Sequence, residues 1–299
     1  MTKKLEILPY NDVLNNEIAH FFKSGAVKRS KANDKLDRIH HLLPEKGNYG
    51  TNLEYDLWYD FKGESTIRGY IYTDVMTKFV YLRPASSKYS KEVLKESLSG
   101  EITEEGEKIF EDIKLNNSDK YKLKSTDIEH PYVIFLPGTN ILRDIVDWNK
   151  VKTALKKGAK LKPHPLTSPF CMSELRAKYG KESLLDRKAS GQDILNKSKV
   201  IGCCSNSEMG LIGIAQGKRI ELFDNKHPDM KTYKALYFAL YENGYPVIDD
   251  LKRILSSNYS GLISYLSKNP QNEIDNFFDY FKKVEHVQPK KPKSLNTRG

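Results

Sequence analysis

The spacing of apolar residues changes along the chain, and each spacing predicts a different kind of element. Between residues 53 and 84, apolar and polar side chains alternate with the period of two that is typical of strands. Five residues carry the first of these strands: Leu53, Tyr55, Leu57, Tyr59 and Phe61. Two more strands are predicted at 70–72 and 79–82, and the breaks between the three are short enough for hairpin turns. This part of the chain therefore predicts a β-meander.

The pattern changes after Pro131, where residues 132–136 form a continuous apolar run. Such a run is typical of a strand that is buried on both faces of a parallel sheet. Further strands are predicted at 160–162, 199–203 and 219–223, and helices at 141–157, 168–179, 192–196 and 208–216. Strands that alternate with helices at these intervals predict an α/β fold with βαβ units and a doubly wound, Rossmann-like parallel sheet.

The rest of the chain suggests how the domains are arranged. Eight acidic residues lie between Glu92 and Asp112, and residues 90–125 are predicted to form an exposed helix and a linker. The final 60 residues have helical spacing, and a further helix is predicted at 11–22. The predicted division is a smaller N-terminal domain over 1–125, a second domain over 126–285, and a basic, disordered tail over 286–299.

Composition narrows the class of protein. The chain has 299 residues, and no window approaches the roughly 18 consecutive apolar residues that a membrane helix needs. The N-terminus lacks the apolar segment of a secretory signal. The three cysteines, of which Cys203 and Cys204 are adjacent, favour a reducing compartment and lack the spacing of a zinc site. A soluble cytoplasmic protein is therefore predicted.

The positive charge has two interpretations. The chain carries 49 Lys and Arg against 39 Asp and Glu, a net charge of +10, and only ten of the basic residues are arginines. Part of this charge is concentrated between Lys23 and His41, and part in the tail. The charge serves either solubility or the binding of an anionic partner such as nucleic acid or an acidic polysaccharide.

Three loops of the predicted parallel sheet follow strands and lead into helices: residues 137–140, 163–168 and 205–208. Ligands of such sheets bind at the carboxyl ends of the strands, and helix N-termini there attract anions such as diphosphate. His164, between two prolines, could donate a proton or a hydrogen bond to a leaving phosphate. The alternatives are that Ser205 and Ser207 only cap a helix and that His164 has a structural role.

The order of these motifs resembles a known family. His164-Pro165, followed about 40 residues later by Ser205-Asn206-Ser207-Glu208, is similar to the C-terminal half of GT-B glycosyltransferases. The similarity covers residues 131–225 and is greatest to bacterial sialyltransferase and capsule-polymer transferase families with an HP motif and a serine motif. It implies a GT-B-like fold whose second domain binds a nucleotide-sugar donor without a metal or other cofactor. The donor-binding residues it implies are Gly138, Thr139, His164, Pro165, Ser205, Asn206 and Ser207.

The catalytic base is expected in the acceptor-side N-terminal domain. The family carries an acidic-acidic-Gly motif after a strand, and no such motif follows a strand predicted in the N-terminal domain here. The nearest candidate is Asp60, in Asp-Phe-Lys-Gly, and the other candidates are Asp56, Glu64 and Asp74. A carboxylate is required because an alcohol is a poor nucleophile until its proton is removed. Together with His164, Asp60 is the predicted catalytic residue.

The predicted function is sugar transfer from a nucleotide-sugar to a hydroxyl of an anionic acceptor. That acceptor is either a glycan or a hydroxymethylated base in phage-type DNA, held by the 23–41 region, with Trp58, Tyr59 and Tyr72 as stacking candidates. Two alternatives stay open. The segment over 57–82 is similar to the opening meander of RNase H-like integrase cores, which implies a metal-dependent nuclease. The other alternative is a non-catalytic nucleic-acid-binding protein.

Overall fold

A computed structural model describes residues 55–57, 69–74, 78–84, 87–115, 123–137, 146–165, 167–204, 207–224 and 248–285, and the structural statements below concern these ranges. Eight strands form two sheets: β1 (Tyr55–Leu57), β2 (Gly69–Asp74), β3 (Phe79–Pro84), β4 (Tyr132–Phe135), β5 (Lys160–Lys162), β6 (Val200–Cys203), β7 (Arg219–Leu222) and β8 (Leu262–Ser264). The α-helices are α1 (Ser87–Ser99), α2 (Glu104–Leu115), α3 (Trp148–Lys156), α4 (Pro169–Tyr179), α5 (Gly191–Lys197), α6 (Glu208–Ala215), α7 (Ile248–Leu255) and α8 (Pro270–Glu285). A 3-10 helix spans Lys181–Ser183. Within these ranges, none of the helices has the length and apolar character needed to cross a bilayer.

The first sheet contains the predicted meander. β1, β2 and β3 pair antiparallel, with Tyr72 opposite Tyr81, and Lys78 makes the turn before β3 with a φ of 64°. A fourth strand, β8, pairs antiparallel with β3. The prediction that the last 60 residues are helical is therefore wrong at β8. Three residues are too few to show a period of two, so their pairing depends on contacts with β3 that are distant in sequence.

The second sheet is parallel and has the order β5-β4-β6-β7, which confirms the predicted parallel sheet. Its strands supply a core of fully buried aliphatic side chains, including Val133, Leu161 and Ile201. The predicted helices over 168–179, 192–196 and 208–216 correspond to α4, α5 and α6. Ser168 and Ser190 cap α4 and α5 through their side chains, and Pro169 occupies the first turn of α4.

The acidic region 90–125 differs from its prediction as an exposed helix. It forms two helices, α1 and α2, and each has a buried face. In α2 the side chains of Ile109, Phe110 and Ile113 recur on one side and are at most 5% exposed. The acids that suggested exposure lie largely on the opposite side of an amphipathic helix.

Helix α2 connects the two sheets. Near its C-terminal end, Asp112 forms an ion pair of 3.0 Å with Lys78 of the first sheet and accepts a hydrogen bond of 3.1 Å from the Tyr265 hydroxyl. On its other side α2 packs against α6 and α7, and Glu107 pairs with Lys252 of α7 at 3.1 Å. The packing of α2 therefore fixes the parallel sheet relative to the meander.

Glu273 of α8 lies close enough to Glu105 of α2 to interact with its charge, so the effect of pH on stability tests the packing between these helices. Burial raises the pKa of its carboxyl to about 7, the carboxylate of Glu105 acts in the same direction, and a hydrogen bond from Ser267 opposes the shift. Between pH 4.5 and 7 the unfolded chain releases a proton that the folded chain retains, so the free energy of unfolding falls as pH rises. We expect Glu273→Gln to be more stable than the wild type at pH 8, by on the order of 2–3 kcal/mol, and equally stable near pH 4.5.

Denaturant unfolding at pH 4.5, 6 and 8 measures this difference. The matched control is Asp275→Asn, because Asp275 is exposed on the same helix and accepts a hydrogen bond from Gln271. This control is expected to change stability by less than about 0.5 kcal/mol at each pH. The prediction would be contradicted if the free energy of unfolding changed with pH by the same amount in Glu273→Gln and in the wild type.

Candidate functional site

The strand order places a crevice in the parallel sheet. The chain runs from β4 outward to β5, then crosses back over β4 to β6 and continues outward to β7, so the winding direction reverses between β4 and β6. In open parallel sheets, ligands bind at such a reversal, outside the carboxyl ends of the strands. The carboxyl ends of β4, β5 and β6 lie at this edge, and the three candidate loops of the sequence analysis follow these strands along the chain.

His164 lies at this edge, in the loop that follows β5. It is half-buried, as is Pro165, and its main-chain oxygen accepts a hydrogen bond of 2.9 Å from the Thr167 amide. This turn joins β5 directly to Ser168, the N-cap of α4. Pro165 restricts the backbone of the residue before it, so the main chain of His164 is held in a defined conformation close to the N-terminus of α4.

Ser207 lies at the same edge, after β6, as the N-cap of α6. Its hydroxyl makes no capping hydrogen bond, whereas the hydroxyls of Ser168 and Ser190 accept hydrogen bonds of 3.2 Å from amides of their own helices. The alternative that Ser207 only caps its helix is therefore not supported by its geometry. The N-terminus of α6 carries partial positive charge, so it and this hydroxyl are suited to bind an anion.

Lys162 is a candidate site residue that the sequence interpretation missed. It is the last residue of β5, its exposed fraction is 3%, and its Nζ donates hydrogen bonds of 3.0 Å to the carbonyl oxygens of Pro163 and Arg187. Burial lowers the pKa of its ammonium group to about 8, and the charge of Asp186 opposes that shift. The sequence alone could have indicated Lys162, because it places a lysine at the carboxyl end of a strand in a predicted doubly wound sheet, where buried lysines are rare.

The cysteines near the site are not available as nucleophiles. Cys171, Cys203 and Cys204 are free thiols, and all three are buried. Burial raises the pKa of Cys203 and of Cys204 far above that of an exposed thiol. Because the thiolate is the reactive form, these two buried side chains at the end of β6 are not suited to act as nucleophiles.

Several predicted residues lie outside the described ranges: Gly138, Thr139, Ser205, Asn206, Asp60, Glu64, Trp58, Tyr59, the 11–22 helix, the 23–41 cluster and the 286–299 tail. Asp56 lies in β1 opposite Ile71, and Asp74 is the last residue of β2, opposite Phe79. The acids Asp249 and Asp250 lie in the first turn of α7. Across the described part of the chain, no three His, Cys, Asp or Glu side chains cluster as ligands for a metal ion.

Comparison with known proteins gives little further information. No protein-family model matches the chain, and no curated protein matches it significantly. Among solved structures, KpsC of Thermosulfurimonas dismutans, a beta Kdo 2,7 transferase, is similar with a TM-score of 0.37 and 14% sequence identity, over 82% of this chain and 87% of that chain. At that TM-score the similarity supports no conclusion about this chain.

Proposed function

We propose that the chain is a glycosyltransferase that takes a sugar from a nucleotide-sugar donor and transfers it to an acceptor hydroxyl. One observation carries the proposal: the loop with His164 and the uncapped N-terminus of α6 with Ser207 follow β5 and β6 at the same edge of the sheet, beside the reversal between β4 and β6. That arrangement supports a phosphate-bearing ligand, and the order of the motifs resembles that of the GT-B families.

In the proposed reaction the acceptor hydroxyl attacks the anomeric carbon of the donor sugar, and the bond from that carbon to the nucleotide phosphate oxygen breaks. Negative charge then develops on the leaving phosphate. His164, the Ser207 hydroxyl and the amides of α6 would stabilise this charge because they are already oriented before the reaction begins. A carboxylate of the N-terminal domain, proposed as Asp60, removes the proton of the acceptor hydroxyl.

The proposed acceptor is anionic, since the chain carries a net charge of +10. It is either an acidic glycan or a DNA base that carries a hydroxymethyl group. The resemblance to GT-B families favours the glycan, and the basic residues between 23 and 41 are the proposed contact for either polymer. The cytoplasm is the proposed location, where nucleotide-sugars are the donor substrates, and no metal is proposed in the transfer.

A donor panel tests the proposal. We expect slow release of nucleotide from one member of a set of CMP-, UDP-, GDP- and CDP-linked sugars, because water can replace the missing acceptor. The rate is expected to be unchanged by EDTA, since the proposed site binds phosphate with protein groups alone. Nucleotide release is measured by chromatography. A chain that neither hydrolyses nor binds any member of the panel would contradict the proposal and favour the non-catalytic nucleic-acid-binding protein.

A further inference from the structure

Lys162 is a buried cation directly before the loop that carries His164. Its Nζ is hydrogen-bonded to two neutral carbonyl oxygens, those of Pro163 and Arg187, each at 3.0 Å. Lysine is seldom buried unless its charge has a partner or a function. Two carbonyl dipoles compensate an ammonium charge only in part, so positive potential remains at the carboxyl end of β5.

The hydrogen bonds of the loop turn its carbonyl groups toward the protein. The Pro163 oxygen accepts from Lys162, the His164 oxygen accepts from the Thr167 amide, and the Thr167 oxygen accepts from the Arg187 guanidinium. Carbonyl oxygens repel an anion, and these three are held by internal donors. Lys162 and Arg187 together fix the loop in a shape that is compatible with a phosphate.

Thr167 adds an independent indication of a ligand. Its side chain is fully buried, and its hydroxyl has no hydrogen-bond partner within the described part of the chain. Buried hydroxyls in folded proteins are almost always hydrogen-bonded, because leaving one unpaired is costly. The hydroxyl lies directly before the N-cap of α4, so an oxygen of a bound phosphate is a suitable partner for it.

On the basis of the proposed glycosyltransferase function, we propose that Lys162 is a positioning residue of the donor-phosphate site. Its ammonium group holds the His164 loop through the Pro163 carbonyl and supplies positive charge beneath the bound phosphate. The chemical class of the ligand is a nucleoside mono- or diphosphate, the leaving group of a nucleotide-sugar.

This role makes phosphate binding depend on pH in a defined direction. Burial lowers the pKa of Lys162 to about 8, so its charge is lost within an accessible range. The charged groups of the neighbouring segment are Asp186, which opposes that shift, and Arg187. On the other side lie the non-titrating Phe135 of β4 and Leu136, which directly follows β4. A bound phosphate favours the charged ammonium, so binding near pH 8 should take up a proton.

Isothermal titration calorimetry with CMP, CDP, UDP and GDP tests the proposal. For the wild type we expect binding about tenfold weaker at pH 9.0 than at pH 7.0, because a neutral Lys162 no longer attracts the phosphate. Proton uptake at pH 8 is measured by comparing buffers of different ionisation enthalpy. Lys162→Arg stays charged at both pH values and is expected to remove the pH dependence. Lys162→Met is expected to bind weakly at both.

The chain offers a matched control in Lys218. Its Nζ also donates hydrogen bonds to two backbone carbonyl oxygens, at 3.0 and 2.8 Å, and burial lowers its pKa, but it lies before β7, at the opposite edge of the sheet. Lys218→Met should retain the wild-type affinity and pH dependence. Should Lys162→Met not fold, the wild type and Lys162→Arg still decide the question.

The possible failures are distinguishable. A wild type that binds nucleotide equally at both pH values, without proton uptake, overturns the role of Lys162 and leaves the proposed function intact. The same holds if Lys162→Arg keeps the wild-type pH dependence. A wild type that binds none of the four nucleotides overturns the proposed function, and the role of Lys162 with it.

Discussion

Replacing His164 or Ser207 by alanine is expected to lower sugar transfer by a factor of at least about 100 while the protein stays folded. Both side chains are proposed to stabilise the charge that develops on the leaving phosphate, so their loss affects the transition state. For Ser207→Ala the folded state should be almost unchanged, because the Ser207 hydroxyl makes no capping hydrogen bond whose loss would destabilise α6. Steady-state transfer and thermal unfolding, measured on the same samples, separate the two effects.

Each variant has a matched control. His130 is also half-buried, but it precedes β4 at the opposite edge of the sheet, with its Nδ1 3.1 Å from the Tyr132 carbonyl oxygen. His130→Ala should therefore retain transfer. Ser190 caps α5, so Ser190→Ala should lose about 1 kcal/mol of stability and keep its activity. Full activity in both His164→Ala and Ser207→Ala would refute the proposed site.

A second large effect is expected for Gly261→Ala, a loss of about 3–4 kcal/mol in the free energy of unfolding. Gly261 has a φ of +75°, and an added Cβ would lie 2.5 Å from the carbonyl oxygen of Leu82 and 2.9 Å from the ring of Phe277. Its own carbonyl oxygen accepts a hydrogen bond of 2.7 Å from the Leu82 amide, so the backbone cannot move away without breaking the contact between β3 and the chain before β8. Denaturant unfolding measures the loss.

Comparison with Gly158→Ala separates the cost of the steric clash at Gly261 from the cost of the backbone conformation. Gly158 also has a positive φ, +89°, but no atom lies within 4 Å of an added Cβ. This variant should lose only the cost of the backbone conformation, about 1 kcal/mol. If the two alanine variants were destabilised equally, close packing at Gly261 would not be the cause.

The parallel sheet could be predicted because its signals are local. The apolar run over 132–136 and the residues that end each helix, such as Gly180 and Gly217, are visible within a few positions of the sequence. The buried faces of α1 and α2 were missed because the dense acids masked an amphipathic period. β8 was missed because a three-residue strand exists only through its pairing with β3.

The residues of the candidate site also differ in whether the sequence alone could predict them. His164 and Ser207 follow strands and precede helices, so their common edge follows from the order of the elements alone. Lys162 could not be assigned in this way, because its burial depends on the Arg187 carbonyl, which is supplied 25 residues later. The general base stays a prediction, since Asp60 lies outside the described ranges.

The pairing of β8 with β3 has a consequence for synthesis of the protein. β3 ends at Pro84 and pairs with β2 on one side, but β8, its antiparallel neighbour on the other side, begins only at Leu262, after the whole parallel sheet has been made. Until then one side of β3 presents unpaired backbone groups, and such an edge promotes association between chains. Ribosome-bound chains that stop before β8 should therefore depend on chaperones much more than chains that extend through α8.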